Sequence, residues 1–274
     1  MNLKGILEVV GRSDTGQVRD HNEDYIVDVA EIGLVVLADG MGGYKGGEVA
    51  SAIAVNTIVE ELKAKIPGLQ PGDSDKETGY TQESIAARRS IIKANEIIYK
   101  TSRSQAQYQG MGTTVVLGMF YDNRLTVAHV GDSRMYRYRD HKLEQITVDH
   151  TLLQELVDRG FYSAEEAQES LNRNLVTRAL GIETTVAVDI HEEMALPGDI
   201  YLLCSDGLND MVGDEAIASI FRAQGEDLER LADGLIKAAN EGGGKDNISV
   251  LLACPSKAFP AKRQWHQRFV SWRS

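Results

Sequence analysis

Five aspartates stand where strand-like runs begin or end, each beside glycine or another turn residue. Asp39 closes "VVLADGMGG", and Asp206 closes "LLCSDGL". Asp24 opens "EDYIVDV", Asp246 opens "DNISV", and Asp132 sits in the turn of "VGDSR". Singly, each is an ordinary turn residue, since Asp bonds its own backbone and tolerates unusual dihedrals. Antiparallel neighbours, however, set the end of one strand beside the start of the next, so all five can converge on one edge. Gathered carboxylates repel one another, and either their pKa values rise or cations neutralise them. Without His or Cys beside them, they select hard ions: Mg, Mn or Ca. Asp39 has two oxygens with which to bridge two ions, and Gly40 has no side chain to keep its carbonyl from approaching one. Ion pairs ~3.5–4 Å apart recur in phosphoryl hydrolases, where they generate hydroxide and neutralise phosphate. Arg19 lies in the same segment as Glu23 and Asp24, and its planar fork suits a phosphate dianion.

Five of the eight residues after Asp39 are glycine. A strand-to-helix turn of this kind can cradle phosphate on backbone N–H groups. This one lacks the Lys-Ser/Thr ending of a P-loop and the spacing of a dinucleotide fingerprint, and an acid at its mouth repels phosphate. The glycines are read instead as leaving room for metal, water and substrate.

The elements that must position these residues are legible as runs rich in Val, Ile and Tyr. Strands are predicted near 6–12, 25–30, 33–38, 113–120, 124–130, 134–139, 142–147, 200–205 and 248–254. The connections "YDNR", "GDS" and "RDHK" are too short for parallel crossovers and predict an antiparallel meander. Helical periodicity appears near 46–65, 82–104, 149–159, 164–170, 214–222 and 226–241. Ser163 and Glu166 fit a capping box. Helices grouped between runs of antiparallel strands predict an α+β fold, two antiparallel sheets packed together with helices outside.

The 274 residues allow a sizeable core, and 42% hydrophobic with 26% charged residues is ordinary for a soluble globular chain. No apolar run approaches the ~18 residues of a membrane span. The start, "MNLKGILEVVGRSD", has no signal-peptide apolar block, and a cytoplasmic protein is expected. A net charge of −12 argues against nucleic acid as a general partner. Residues 255–274 hold five basic and no acidic residues, which leaves −17 on the first 254. Cys204 and Cys254 lie in apolar runs and are expected as free buried thiols, too far apart along their strands for a disulfide.

The chain resembles the bacterial metal-dependent Ser/Thr protein phosphatases, the PPM family of type 2C. The matching blocks come in the family's order: "GQVRDHNED", "VVLADGMGG", "GMGTTVV", "VGDSR", "DHT", "LVTRALG", "LLCSDGL" and "GGKDNISV". They span about 16 to 250. The resemblance implies a sandwich of two antiparallel β-sheets flanked by pairs of antiparallel helices. It implies hydrolysis of phosphoserine and phosphothreonine by a hydroxide bridging two divalent metals, Mn or Mg, with a third, weaker ion. Asp39, Asp206 and Asp246 would hold the first metal, and Asp39 with the Gly40 carbonyl the second. Asp132 with Asp206, helped by Asp210, would hold the third. Glu23 and Asp24 would position metal-bound waters, Arg19 would grip the phosphate, and Thr113 and Thr114 would support the cluster. The segment from Thr151 to about Leu180 would be the flap beside the site. The implied partners are phosphoproteins, including a Ser/Thr protein kinase and its targets, and a monomer is expected. The alternative is a catalytically inactive phosphatase fold acting as a regulator or binding module; the complete acid set argues against it.

Two positions depart from part of the family. Met41 and Tyr44 stand where some relatives have histidine, so a phenol or a metal-bound water is left as the proton donor to the leaving group. His21, His129 and His150 read as packing or loop residues. The domain is expected to end at 254, with 255–274 a basic tail holding Trp265 and Trp272. Three readings of that tail are open: a helix docked on the acidic body, a partner- or membrane-binding segment, and disorder.

Overall fold

The structure is a computed structural model that describes residues 2–42, 46–162 and 175–261. Two five-stranded antiparallel sheets form its centre. One contains β1 (Leu7–Asp14), β8 (Arg134–Arg139), β9 (Lys142–Gln145), β11 (Ile200–Cys204) and β12 (Ile248–Pro255), in the order β1-β12-β11-β8-β9. The other contains β2 (Tyr25–Val29), β3 (Leu34–Ala38), β6 (Val115–Tyr121), β7 (Arg124–Val130) and β10 (Asp189–Met194), in the order β10-β7-β6-β3-β2. A two-stranded ladder of β4 (Gly40–Met41) and β5 (Gly112–Thr113) stands beside them.

The layering is written in the period of the strands. Leu34, Val36 and Ala38 of β3 pack toward α1 (Gly46–Lys65) and α2 (Gln82–Ser104), while Val35 and Leu37 join the core between the sheets. In β11, Ile200, Leu202 and Cys204 face α5 (Asp214–Gln224) and α6 (Leu228–Glu241), whereas Tyr201 and Leu203 face the other sheet. Successive side chains on a strand point to opposite faces. A strand covered on both faces must therefore be apolar throughout, and both are fully buried. Three apolar cores result, giving a helix–sheet–sheet–helix sandwich.

The short connections behave as expected. Asp122 and Asn123 join β6 to β7 with φ of 43° and 56°, and Asp140 and His141 join β8 to β9 with φ of 50° and 61°. Two left-handed residues in a two-residue loop suit the strands' right-handed twist. The helix expected over 149–159 is shorter, α3 (Leu152–Asp158), because Thr151 caps it by accepting from the Gln154 N–H at 3.2 Å. The helix expected at 164–170 and its capping box lie outside the described residues.

β10 has no counterpart among the predicted strands. It is an edge strand of sequence "DIHEEM" with no fully buried residue, so it offers no apolar run to detect. The four-residue helix α4 (Asp206–Asn209) and the strands β4 and β5 are likewise too short for a periodic signal.

The compositional break at Pro255 is not where packing ends. Pro255 belongs to β12, opposite Leu7. Beyond it, the Phe259 N–H donates to Asn123 Oδ1 at 2.6 Å, and the Ala261 N–H donates to Asp122 Oδ1 at 2.8 Å. The Phe259 ring is buried edge-on against Phe120. Trp265 and Trp272 lie outside the described residues.

Candidate active site

All five aspartates lie at one end of the sandwich. Tyr25 pairs with Ala38, which sets Asp24 beside Asp39. Cys204 pairs with Val250 on one side and Arg134 on the other. That register brings Asp206, Asp246 and the β7–β8 turn with Asp132 to the same edge. Asp39 registers the convergence: burial pushes its carboxyl well above the usual range, and Asp24, Asp206, Asp132 and Asp246 each push it further. Asp206 is raised in the same way, by burial and then by Asp132, Asp246, Asp210 and Asp24. Burial lifts both Asp24 and Asp132 to about 6.

Backbone ties hold the acids in place. The Thr113 hydroxyl donates to Asp39 O at 2.7 Å, and the Asp39 N–H donates to Thr114 Oγ1 at 3.2 Å. Thr114 Oγ1 lies 2.7 Å from Ser133 Oγ, next to Asp132. Thr113 and Thr114 thus tie β5 and the start of β6 to the acid edge. Asn247 staples the N-terminal segment to β12: its side-chain amide donates to Thr15 O and His21 O, and its oxygen accepts from the Glu23 N–H at 2.8 Å. The Ser205 hydroxyl donates to Asp24 Oδ2 at 2.9 Å. Asn247 and Ser205 were not singled out from sequence; both adjoin an acid, but adjacency alone does not show what a side chain reaches.

Gly40 is glycine for a reason beyond room for an ion. A Cβ there would stand 2.2 Å from Gly47 O and 2.6 Å from Glu23 O, because the first turn of α1 docks directly on it. Gly40 N–H and the Ser51 hydroxyl both donate to Glu23 O. Glycine therefore brings helix, strand end and the Glu23 loop within backbone contact.

Arg19 sits on the rim, half exposed, with Nη2 2.5 Å from Asp246 Oδ2. Its positive charge also faces Asp206 and Glu23. Met41 pairs with Gly112 in the small ladder, and Tyr44 lies outside the described residues. His21 reaches Glu23 Oε1 at 3.4 Å. Both cysteines are free; burial raises Cys204 to about 12 and Cys254 to about 11, which keeps them as thiols. Val250, the partner of Cys204, is four residues from Cys254. That is roughly 13 Å along the strand, beyond disulfide reach.

Asp24 Oδ1 and Asp206 Oδ1 are buried without a hydrogen-bond partner among the described residues, as is Glu193 Oε1 outside the cluster. A buried carboxylate oxygen left unpaired costs several kcal/mol, on the order of its lost solvation. Oxygen-only donors, mutually repelling and orphaned, fit hard divalent cations. His129, His150 and Asp189 also bring ligand atoms within 4.8 Å of one another, but as a separate cluster with a different hydrogen-bond pattern.

A two-sheet sandwich whose edge concentrates buried carboxylates under an exposed arginine defines a metal-dependent phosphoryl hydrolase. The chain belongs to the protein phosphatase 2C family, whose sequence model matches residues 12–239. It is 38% identical to the serine/threonine phosphatase stp of Listeria monocytogenes over 248 residues, 88% of this chain and 93% of that protein. The crystal structure of the Mycobacterium tuberculosis serine/threonine phosphatase PstP/Ppp superposes with a TM-score of 0.80 at 38% identity, covering 90% of this chain and 98% of that one. The catalytic domain of PstP in complex with two manganese ions superposes with a TM-score of 0.75, also at 38% identity, over 90% and 97% of the two chains. The expected fold and enzyme class, a metal-dependent protein phosphatase, are thereby established.

Proposed function

We propose that this chain hydrolyses phosphoserine and phosphothreonine in proteins with two divalent ions, Mn or Mg, held at the aspartate edge. The observation that carries the reading is the pair of orphaned, buried oxygens of Asp24 and Asp206 inside a cluster of carboxyls with raised pKa values. Asp39, Asp206 and Asp246 would hold one ion, and Asp39 with the Gly40 carbonyl the other. Asp132 and Asp206, with Asp210 nearby, would hold a third, weaker ion. When bound, the ions supply an acidified water and positive charge against the phosphate. Glu23 and Asp24 would orient water by accepting hydrogen bonds from it. Arg19 donates its N–H groups to the phosphate oxygens in bidentate fashion. Its contact with Asp246 holds the guanidinium at the rim of the cluster.

A Ser/Thr protein kinase and its targets are the substrates this specificity suits, and the chain would act as a monomer. No helix among the described residues is long and apolar enough to cross a membrane, which is compatible with a cytoplasmic enzyme. The burial of Phe259 supports a phosphatase domain that runs through Ala261. The test is hydrolysis of a phosphothreonine peptide with Mn, Mg, Ca or chelator, using wild-type protein and Asp39→Ala, Asp206→Ala and Asp246→Ala. Wild type should require Mn or Mg, and each variant should lose hydrolysis while keeping its circular dichroism spectrum. Substantial activity in Asp39→Ala would refute the two-ion assignment.

A further inference from the structure

Both backbone polar groups of Gly131 are taken by one residue. The His150 N–H donates to Gly131 O at 3.0 Å, and His150 Nδ1 accepts from the Gly131 N–H at 3.0 Å. Gly131 has φ of 107°, and a Cβ there would stand 2.6 Å from Thr114. It therefore takes a conformation only glycine adopts easily, immediately before Asp132.

The ring of His150 is fixed on its other sides as well. Because Nδ1 accepts, the neutral imidazole carries its proton on Nε2. Nε2 faces Asp189 Oδ2 at 3.2 Å. Arg178 Nη1 donates to Asp189 Oδ1 at 2.8 Å and lies 3.0 Å from His150 Nε2. His129 stacks on the ring at 4.7 Å between centroids, and its own Nε2 lies 2.9 Å from the Val148 carbonyl. The His150 carbonyl accepts from the Thr177 N–H at 2.8 Å. Burial, His129 and Arg178 together hold the His150 pKa down to about 4, consistent with a ring that stays neutral.

This pattern argues against a metal ion between His129, His150 and Asp189. The Nδ1 lone pair of His150 is occupied by an amide, and its Nε2 bears a proton. The Nε2 of His129 faces a carbonyl, which requires a proton there too. The guanidinium of Arg178 already supplies the positive charge at Asp189.

We propose that His150 is a positioning residue for Asp132. Held from behind by Asp189, whose carboxylate Arg178 in turn anchors, it clamps both backbone polar groups of Gly131 and sets the direction in which the Asp132 carboxylate leaves the β7–β8 turn. The edge strand β10, which begins with Asp189, thereby acts on the acid cluster through two side chains. The inference rests on the reading of Asp132 as a ligand of the weaker ion.

The test is a calorimetric titration of chelator-stripped, full-length protein with Mn, without substrate. Asp132→Ala should abolish the weak class of binding. In His150→Asn, the side-chain oxygen can still accept from the Gly131 N–H, although it cannot reach Asp189. In His150→Gln, the acceptor beside Gly131 is lost. Removing a group that orients a metal ligand typically weakens affinity by roughly 10- to 100-fold. The weak class should therefore weaken about tenfold or more in His150→Gln and by a smaller factor in His150→Asn, which keeps the Gly131 contact and loses the one to Asp189. If Asp132→Ala loses the weak class and His150→Gln titrates like wild type, the positioning role is wrong and the Asp132 assignment stands. If Asp132→Ala titrates like wild type, the assignment itself fails, and the inference with it. Should His150→Gln not fold, Asp189→Ala decides, since Asp189 is half exposed. Weakening of the weak class would support the proposal, and unchanged binding would overturn it.

Discussion

Asp132 shows how one carboxyl links stability to charge at this edge. Burial, Asp149 and Asp210 raise it from an ordinary 3.8 to about 6, which disfavours its charged form by about 3 kcal/mol. A group whose folded pKa is raised contributes its full stability below the unfolded value and loses it as pH rises through the folded one. Asp24 is raised to about 6 as well, and Asp39 and Asp206 are raised in the same direction, so stability is lost as pH rises through about 6. Metal-free protein should therefore melt at a lower temperature at pH 8 than at pH 5, and Mn should close the gap at pH 8. Melting in chelator at both pH values checks this; equal temperatures would mean the acids do not repel. At the rim, Arg19→Ala should raise KM for a phosphopeptide with a smaller fall in kcat, because a half-exposed side chain grips substrate more than it shapes the transition state. Steady-state kinetics that show only kcat falling would assign Arg19 to the transition state instead.

At the scale of elements, the site depends on how closely α1 docks. Gly47 stands in the first turn of α1, and a Cβ there would lie 2.6 Å from the Gly40 carbonyl carbon and 2.8 Å from the Glu23 carboxyl carbon. Alanine is the better helix former by about 1 kcal/mol, so an unconstrained helix would gain from Gly47→Ala. Here the helix must move off Gly40 and Glu23, at a cost of about 1–3 kcal/mol. The melting temperature should fall, and Mn-dependent hydrolysis should fall more than tenfold. A more stable, fully active variant would show that the close approach is not required. Asn247 and Ser205 work at the same scale, since each joins two elements that the chain separates widely.

At the scale of the molecule, the body is closed by chain beyond the last strand. Phe259 fills the core between the sheets beside Phe120, and residues 256–261 bond back to Ile6, Asn123 and Asp122. Truncation after Ala261 should leave hydrolysis of a small phosphopeptide within a few-fold of the intact enzyme. Truncation after Pro255 removes Phe259 and should cost about 3 kcal/mol of stability. Denaturant unfolding of both truncations, with activity assays, checks the boundary; equal midpoints would show that Phe259 does not belong to the core.

The sequence by itself determined the strands whose both faces are buried, because β3 and β11 must then be apolar throughout, and an unbroken apolar run is visible without a structure. It also determined the acids. Aspartate beside glycine at a strand end is a local pattern, and repulsion among several such acids follows from their chemistry. The edge strand β10 stayed hidden because half-exposed strands carry polar residues such as His191 and Glu192. The partners of the acids stayed hidden for a different reason. Thr114 reaches Asp39 across 75 residues, Asn247 reaches Glu23 across 224, and Ser205 reaches Asp24 across 181. Hydrogen bonds of that separation depend on register between strands, and a shift of one residue turns every side chain to the opposite face. Only tertiary packing sets that register, and with it which hydroxyl, amide or imidazole stands behind each carboxylate.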